Sequence, residues 1–254
     1  MGDQFQRTRN LLGEAGLERL RRADVAVAGL GAVGGYAVEA LARAGVGTLR
    51  LVDFDTVSVS NINRQLLALH STVGQKKCAL ARERALSINP ECDARAYDLF
   101  IHADTLPEFL TPAPDLLIDA IDALNPKVAL LEYAYRHNIP VISSMGAALR
   151  RDPAKIAVSD LFKSKNCPLA KYVRKLLRRR GIVKGIPCVY SSELVDENAL
   201  APADEEPLVS RGRQRHVLGS LPTITGIFGL TLANWAINFL AAGKTEGGKG
   251  ADEP

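Results

Sequence analysis

Cysteine is scarce in this chain, and where it occurs it is scattered. There are four, Cys78, Cys92, Cys167 and Cys188, and no two stand at the spacing of a Cys-x-x-Cys metal site. That excludes a zinc centre of the common type. Thiols spread so thinly through a chain of this length read as reduced and intracellular, so a cytoplasmic protein is expected. An apolar leader is missing too: MGDQFQRTRN is polar and charged from its start and predicts no secretory signal. No internal repeat is visible. The net charge of +4 is too mild to dictate a partner, so its distribution carries the information. Between Val217 and Gly243 charge is absent altogether. The stretch is long enough to cross a bilayer. It is interrupted by Pro222, Thr223, Thr225, Asn234 and Asn238, and no basic cluster follows it directly. A buried core helix over about 223–241 is the expectation, and membrane contact is not.

What is present is an alternation of strands and helices. DVAVAGLGAVGGYAVEALARAGVGTLRLVDFD reads as strand, glycine turn, helix and strand. The strand at Val25–Ala28 is continuously apolar, as a parallel strand covered on both faces should be. The helix spans about Gly34–Ala44, and TLRLVD ends the unit at Asp53. Further on, Lys77–Asn89 is helical, CDARAYD a strand, DLLIDAID a buried strand, Pro126–His137 a helix and PVISSMG a strand. KIAVSDL then suggests an antiparallel strand, Pro168–Arg180 a basic helix and PCVYSSE a short strand. The predicted fold is α/β and Rossmann-like: a doubly wound, mostly parallel sheet with antiparallel strands, a basic helix and a buried final helix added towards the C-terminus. One domain over 1–243 is expected, with a nucleotide-binding core at about 20–148 and a tail at 244–254 without order. Glu193–Glu206 holds six acids and no base, and reads as an exposed, mobile loop.

GLGAVG follows a strand and opens a helix. Gly29, Gly31 and Gly34 suit the tight turn, the approach of backbone amides to phosphate and close helix packing. Asp53 stands nineteen residues beyond Gly34, placed to accept from a ribose hydroxyl. A dinucleotide site would need no more. This chain adds SNINRQ and then GQKK, with Asn61, Arg64, Gln65 and Lys77, and later Asp122. Transfer of a carboxylate to the α-phosphate of ATP needs such extra groups, because pyrophosphate must be held and neutralised and magnesium retained. Each residue also has a bland reading: Arg64 a surface arginine, Lys77 a solvated first turn, Asp122 a helix cap.

The set GLGAVG, LVDFDTVSVSNINRQ, TVGQKK and LLIDAID resembles the ThiF/MoeB superfamily, the adenylating relatives of ubiquitin-activating enzymes. The resemblance covers roughly 5–148. It implies ATP and Mg2+ as cofactors, with Gly31 and its neighbours and Asp55 in the nucleotide site and Asp53 on the ribose. It puts Asn61, Arg64 and Gln65 towards the phosphates, with Lys77 in contact with them and Asp122 on magnesium. Lys76 could fill the lysine role, but Lys77 directly precedes the helical run. Arg7, in QFQRT, matches an arginine that reaches the partner subunit's nucleotide, which implies a homodimer. QFQRTRNLLGEAGLERL, NINRQLLALHSTVGQKK and CVYSSE resemble more closely the tRNA threonylcarbamoyladenosine dehydratases within that superfamily. That similarity implies ATP-dependent cyclisation of a modified adenosine beside the anticodon, through an acyl-adenylate and ring closure by the same side chain. It implies tRNA as partner and allows docking of sulfur-transfer or cysteine-desulfurase-type proteins. The missing Cys-x-x-Cys pairs weaken the molybdopterin and thiamine branches. Cys167 and Cys188 are candidates for an acyl-accepting thiol, although neither has a neighbouring histidine and packing is the favoured reading for both.

KYVRKLLRRRGIVK carries seven bases and no acid. Lys171, Arg174, Lys175 and Arg178 share one predicted helical face, and Leu169, Tyr172, Val173, Leu176 and Leu177 another. With Arg179, Arg180, Arg211 and Arg213, this predicts a phosphate-backbone surface over the part at about 149–216. Three rivals stand beside the dehydratase reading: an adenylyltransferase for a ubiquitin-like protein, an NAD-dependent oxidoreductase and a non-catalytic ATP-sensing tRNA-binding module.

Overall fold

The computed structural model describes residues 3–195 and 218–243. Helix α1 (Gln6–Arg22) leads into strand β1 (Asp24–Ala28), helix α2 (Gly34–Ala44) and strand β2 (Thr48–Val52). Helix α3 (Lys77–Ile88), strand β3 (Asp93–Tyr97), the short helix α4 (Leu106–Leu110) and strand β4 (Leu116–Asp119) follow. Then come helix α5 (Leu124–Arg136), strand β5 (Val141–Ser144), strand β6 (Ile156–Asp160), helix α6 (Pro168–Arg179), strand β7 (Pro187–Ser191) and helix α7 (Pro222–Ala242).

The seven strands form one sheet in the order β3-β2-β1-β4-β5-β7-β6. All neighbours are parallel except β6, which runs antiparallel to β7. The doubly wound sheet expected from the alternation is therefore present. The place of strand β1 explains why Val25–Ala28 is continuously apolar. Val25 and Val27 enter one core with α2 and α7, while Ala26 and Ala28 enter the other with α4 and α5. Covered on both faces, Val25–Ala28 leaves no position for a polar side chain, and the one polar residue of the strand, Asp24, stands half-buried at its start.

Helix α7 has the length and hydropathy of a membrane span, yet 56% of that window is buried inside the protein. Ile224, Phe228, Leu232, Ala236 and Leu240 form a buried line at intervals of four, packed against α1 and α2. The buried-helix reading of this stretch stands, with one more residue at each end.

Some boundaries move for local reasons. Helix α5 starts at Leu124, so Pro126 is its third residue, where an amide hydrogen would find no intrahelical acceptor anyway. Strand β2 ends at Val52, and Asp53 is the first residue beyond it. Helix α6 ends at Arg179, with Arg180 as its C-cap. Helix α1 is new with respect to the sequence reading. Its charge is spread around the barrel and it kinks at Gly13 (φ 74°), so no clean apolar stripe marks it. Most of the acidic stretch 193–206, Arg211 and Arg213, and the tail 244–254 lie outside the described residues.

Candidate nucleotide site and basic surface

Strand β1 has β2 on one side and β4 on the other, so its C-terminal end is the point where the sheet's winding reverses. The glycine turn leaves the sheet there. Gly29 has φ 89°, which disfavours a side chain, and a Cβ on it would lie 2.8 Å from the Ala120 carbonyl oxygen. A Cβ on Gly34 would fall on the Gly29 carbonyl at 1.8 Å. These two glycines let the turn fold back on itself. Val33, at the N-cap of α2, supplies no side-chain cap; the Gly35 amide donates back to the Gly31 carbonyl at 3.1 Å, and the positive end of the helix faces the glycine turn.

Asp53 is buried at the end of β2. Its Oδ2 accepts the Leu30 amide at 2.7 Å and its Oδ1 the Asp55 amide at 2.9 Å. Burial pushes its carboxyl above the usual range, while the charge of Lys77 and the two amide donors oppose the rise. Lys77 is itself buried, with Nζ 3.0 Å from Asp55 Oδ2. Lys76, the alternative lysine, is exposed and turned away to the Phe54 carbonyl and Asp98, each at 3.0 Å.

SNINRQ is a turn-building unit as well as a source of charge. Asn61 Oδ1 accepts the Ser58 amide at 3.2 Å, and its carbonyl accepts the amides of Arg64 and Gln65. The Arg64 guanidinium is held at 2.8 Å by both the Ser60 carbonyl and Asn63 Oδ1. Gln65 is buried against the glycine turn, its Nε2 3.7 Å from the place of a Cβ on Gly31. The structure thus gathers Gly29, Gly31, Gly34, Asp53, Asp55, Gln65 and Lys77 at one edge, with Asn61 folding the turn and Arg64 half-buried on it. Asp122 is exposed on the turn after β4, whose Ala120 closes on Gly29. Arg7 is elsewhere. It lies exposed on α1, beside Leu11 and facing Asn234 and Asn238 of α7.

Magnesium characteristically takes one or two carboxylates and completes its shell with phosphate and water. Among the described residues no cluster of three or more His, Cys, Asp or Glu could form a cage of protein ligands. A single carboxylate beside a phosphate-binding turn fits the ion that accompanies ATP.

The four cysteines are free and buried. Cys188 is fully enclosed, and burial pushes its thiol up to about 12. Cys167 spends its sulfur at the N-cap of α6, accepting the Ala170 amide at 3.5 Å. Neither offers an exposed thiolate, in line with the packing reading.

The basic helix needs a correction. Arg174 does not belong to the exposed face: it is half-buried and donates to the Leu161 and Ser164 carbonyls and to Ser164 Oγ. Arg180 pairs with Glu132 of α5, and Arg178 lies over the Phe162 ring at 5.5 Å. The helix docks by Ala170, Val173 and Leu177, whereas Tyr172, expected on the docking face, is 54% exposed. Lys171, Lys175 and Arg179 are exposed and have no ion-pair partner among the described residues.

The site so described fits a wider pattern, because the ThiF family profile matches residues 5–250. The chain belongs to the ThiF family. The tRNA threonylcarbamoyladenosine dehydratase of Bacillus subtilis is 42% identical over 217 residues, 85% of this chain and 81% of that relative. The Escherichia coli protein of the same name is 40% identical, over 75% of this chain and 74% of that relative. The crystal structure of the E. coli enzyme, TcdA, in complex with ATP has a TM-score of 0.84 at 35% identity, covering 94% of each chain. At this edge the chain presents a glycine turn, a helix start without a side-chain cap, the buried Asp53, and Arg64 and Lys77 beyond them.

Proposed function

We infer that this chain is an ATP-dependent tRNA threonylcarbamoyladenosine dehydratase. The threonyl carboxylate of the modified nucleoside attacks the α-phosphate of ATP, the Pα–O bond to pyrophosphate breaks, and an acyl-adenylate forms. An atom of the same side chain then attacks the activated carbonyl and AMP leaves with one of the former carboxylate oxygens. The nucleoside has lost the elements of one water. No external nucleophile is needed, so the protein's part is to position the reactants and stabilise charge.

Asp53 holds the ribose, the amides at the start of α2 and the glycine turn hold phosphate, and Gln65 backs that turn. Lys77 leaves Asp55 for phosphate when ATP enters, and Arg64 turns to the leaving pyrophosphate. Asp122 would hold magnesium, which supplies neutralisation of the β- and γ-phosphates. The observation that carries the adenylation reading is that Asp53 and Gln65 meet the glycine turn while the buried Lys77 stands beside Asp53 and pairs with Asp55.

The tRNA lies along α6. The start of this helix abuts the loop after β5, on the catalytic edge, with Cys167 Sγ against Gly146 and Arg150 bonded to the Asn166 carbonyl at 2.7 Å. Lys171, Lys175 and Arg179 lead away from that edge as exposed cations, suited to a phosphate backbone. The working form is a cytoplasmic homodimer. Its contact surface is the apolar face where α1 meets α7, with Leu11 84% exposed and Trp235 stacked on Phe239 at 5.0 Å. Arg7 stands on this face and would enter the partner subunit's site. Incubation with ATP, Mg2+ and tRNA carrying threonylcarbamoyladenosine tests the reading by mass spectrometry. The nucleoside should lose one water, and an unchanged mass with active, folded protein would refute it.

A further inference from the structure

Below the nucleotide edge lies a charged pair that the chemistry above leaves unused. Lys127 of α5 and Asp119 of β4 are both 0% exposed. Lys127 Nζ donates to Asp119 Oδ2 at 2.6 Å, to the Ser144 carbonyl at 2.9 Å and to Ser143 Oγ at 3.2 Å. That gives each of the three ammonium protons an acceptor. The Ser143 hydroxyl donates to Asp119 Oδ2 at 2.6 Å, and the remaining oxygen, Oδ1, accepts the Ile121 amide at 3.1 Å.

A buried ion pair is a poor way to fill a core, since apolar groups of the same volume stabilise as well or better. Its location suggests another use. Asp119 is the last residue of β4, and the turn that follows does two things. Ala120 hydrogen-bonds to the end of β1 (its amide on the Ala28 carbonyl at 2.8 Å) and closes against Gly29. Asp122 is carried on the same turn. We propose that Lys127 is a positioning residue: through Asp119 it anchors the Ile121 amide and so sets where Asp122 is presented to the magnesium–ATP complex. This rests on the reading of Asp122 as the magnesium ligand. Ligand-orienting groups behind a metal site typically matter by tenfold or more in metal affinity.

The test compares ATP affinity with Mg2+ and with EDTA, by calorimetry on the full chain. Asp119→Leu combined with Lys127→Met removes the pair without stranding a charge. Its ATP affinity in EDTA should match wild type, while the affinity gained from Mg2+ should shrink by about tenfold. Ser143→Ala, a milder change that keeps the ion pair, should reduce the gain by about threefold, the share of one hydrogen bond. A full wild-type Mg2+ gain in the folded double variant, or in Ser143→Ala if the double variant does not fold, overturns the proposal. Asp122→Asn separates the two levels. If it loses the gain while the double variant keeps it, only the positioning role fails. If Asp122→Asn itself keeps the gain, the metal assignment and the proposal fall together.

Discussion

Two buried lysines, Lys127 of α5 and Lys77 of α3, each pair with an aspartate, and the two pairs differ in kind. Lys127 and Asp119 are enclosed, with every donor matched and no solvent contact. Lys77 is also buried, but its partner Asp55 is 42% exposed, and the desolvated carboxylate of Asp53 lies close by. The first pair is a finished structure, and removing one member would leave an uncompensated charge. The second faces the site edge, and under the proposed function its lysine exchanges the Asp55 carboxylate for a phosphate. Burial alone therefore does not separate scaffold from machinery; the accessibility of the partner does.

The largest expected effect contrasts these pairs. Lys77→Met should slow AMP formation by roughly a hundredfold or more, the usual effect of removing a charge that stabilises the transition state, with little change in Tm. Lys127→Met alone should instead destabilise by about 3–5 kcal/mol, because Asp119 is left charged and unpaired. Thermal melts and rate measurements on both proteins check this, and equal Tm losses would erase the distinction.

The next contrast is between Arg64, on the nucleotide edge, and Arg7, on the α1–α7 face. Arg64→Ala and Arg7→Ala homodimers should each be inactive, while mixing them should restore part of the activity through hybrid sites. Mixed dimers that exchange subunits yet stay inactive would place Arg7 outside the partner's site.

Much of this was legible in the chain. The continuous apolar strands, the glycine turn with Asp53 and the charge-free final helix each carry a local pattern that burial enforces. Asp119 was visible only as one of two acids at the end of a strand, because its partners lie 8 and 24 residues later. Arg174 was misplaced for a related reason. Helical spacing puts it with Lys171 and Arg178, but the carbonyls of Leu161 and Ser164 arrive from a preceding turn and draw it inward. Helix α1 lacked an apolar stripe, and its place is set largely by α7, where Arg19 donates to the Ala241 carbonyl at 2.7 Å.

The inward turn of Arg174 sharpens a test of the basic surface. Lys171, Lys175 and Arg179 changed together to Ala should flatten the slope of log tRNA affinity against log salt by about 0.7–0.9 for each phosphate that is no longer neutralised. Arg174→Ala, whose guanidinium is committed to carbonyls, should leave the slope unchanged and lower Tm. Parallel salt plots for the triple variant would make α6 an ordinary solvated face.

The smallest effect is expected at Cys188. Cys188→Ala should keep full turnover and lose only about 1–2 kcal/mol of stability from packing. Thiol reagents at mildly alkaline pH should leave the native protein unlabelled, since the thiol is enclosed and raised to about 12. Loss of turnover in a folded variant would bring back the acyl-thiol route.

Carboxylate adenylation at the edge built from Asp53, Arg64 and Lys77 is tested most directly with tRNA whose threonylcarbamoyladenosine carboxylate carries oxygen-18. Transfer of the carboxylate to the α-phosphate followed by ring closure predicts that each AMP released contains one labelled oxygen. Unlabelled AMP, formed while the nucleoside loses water, would contradict it.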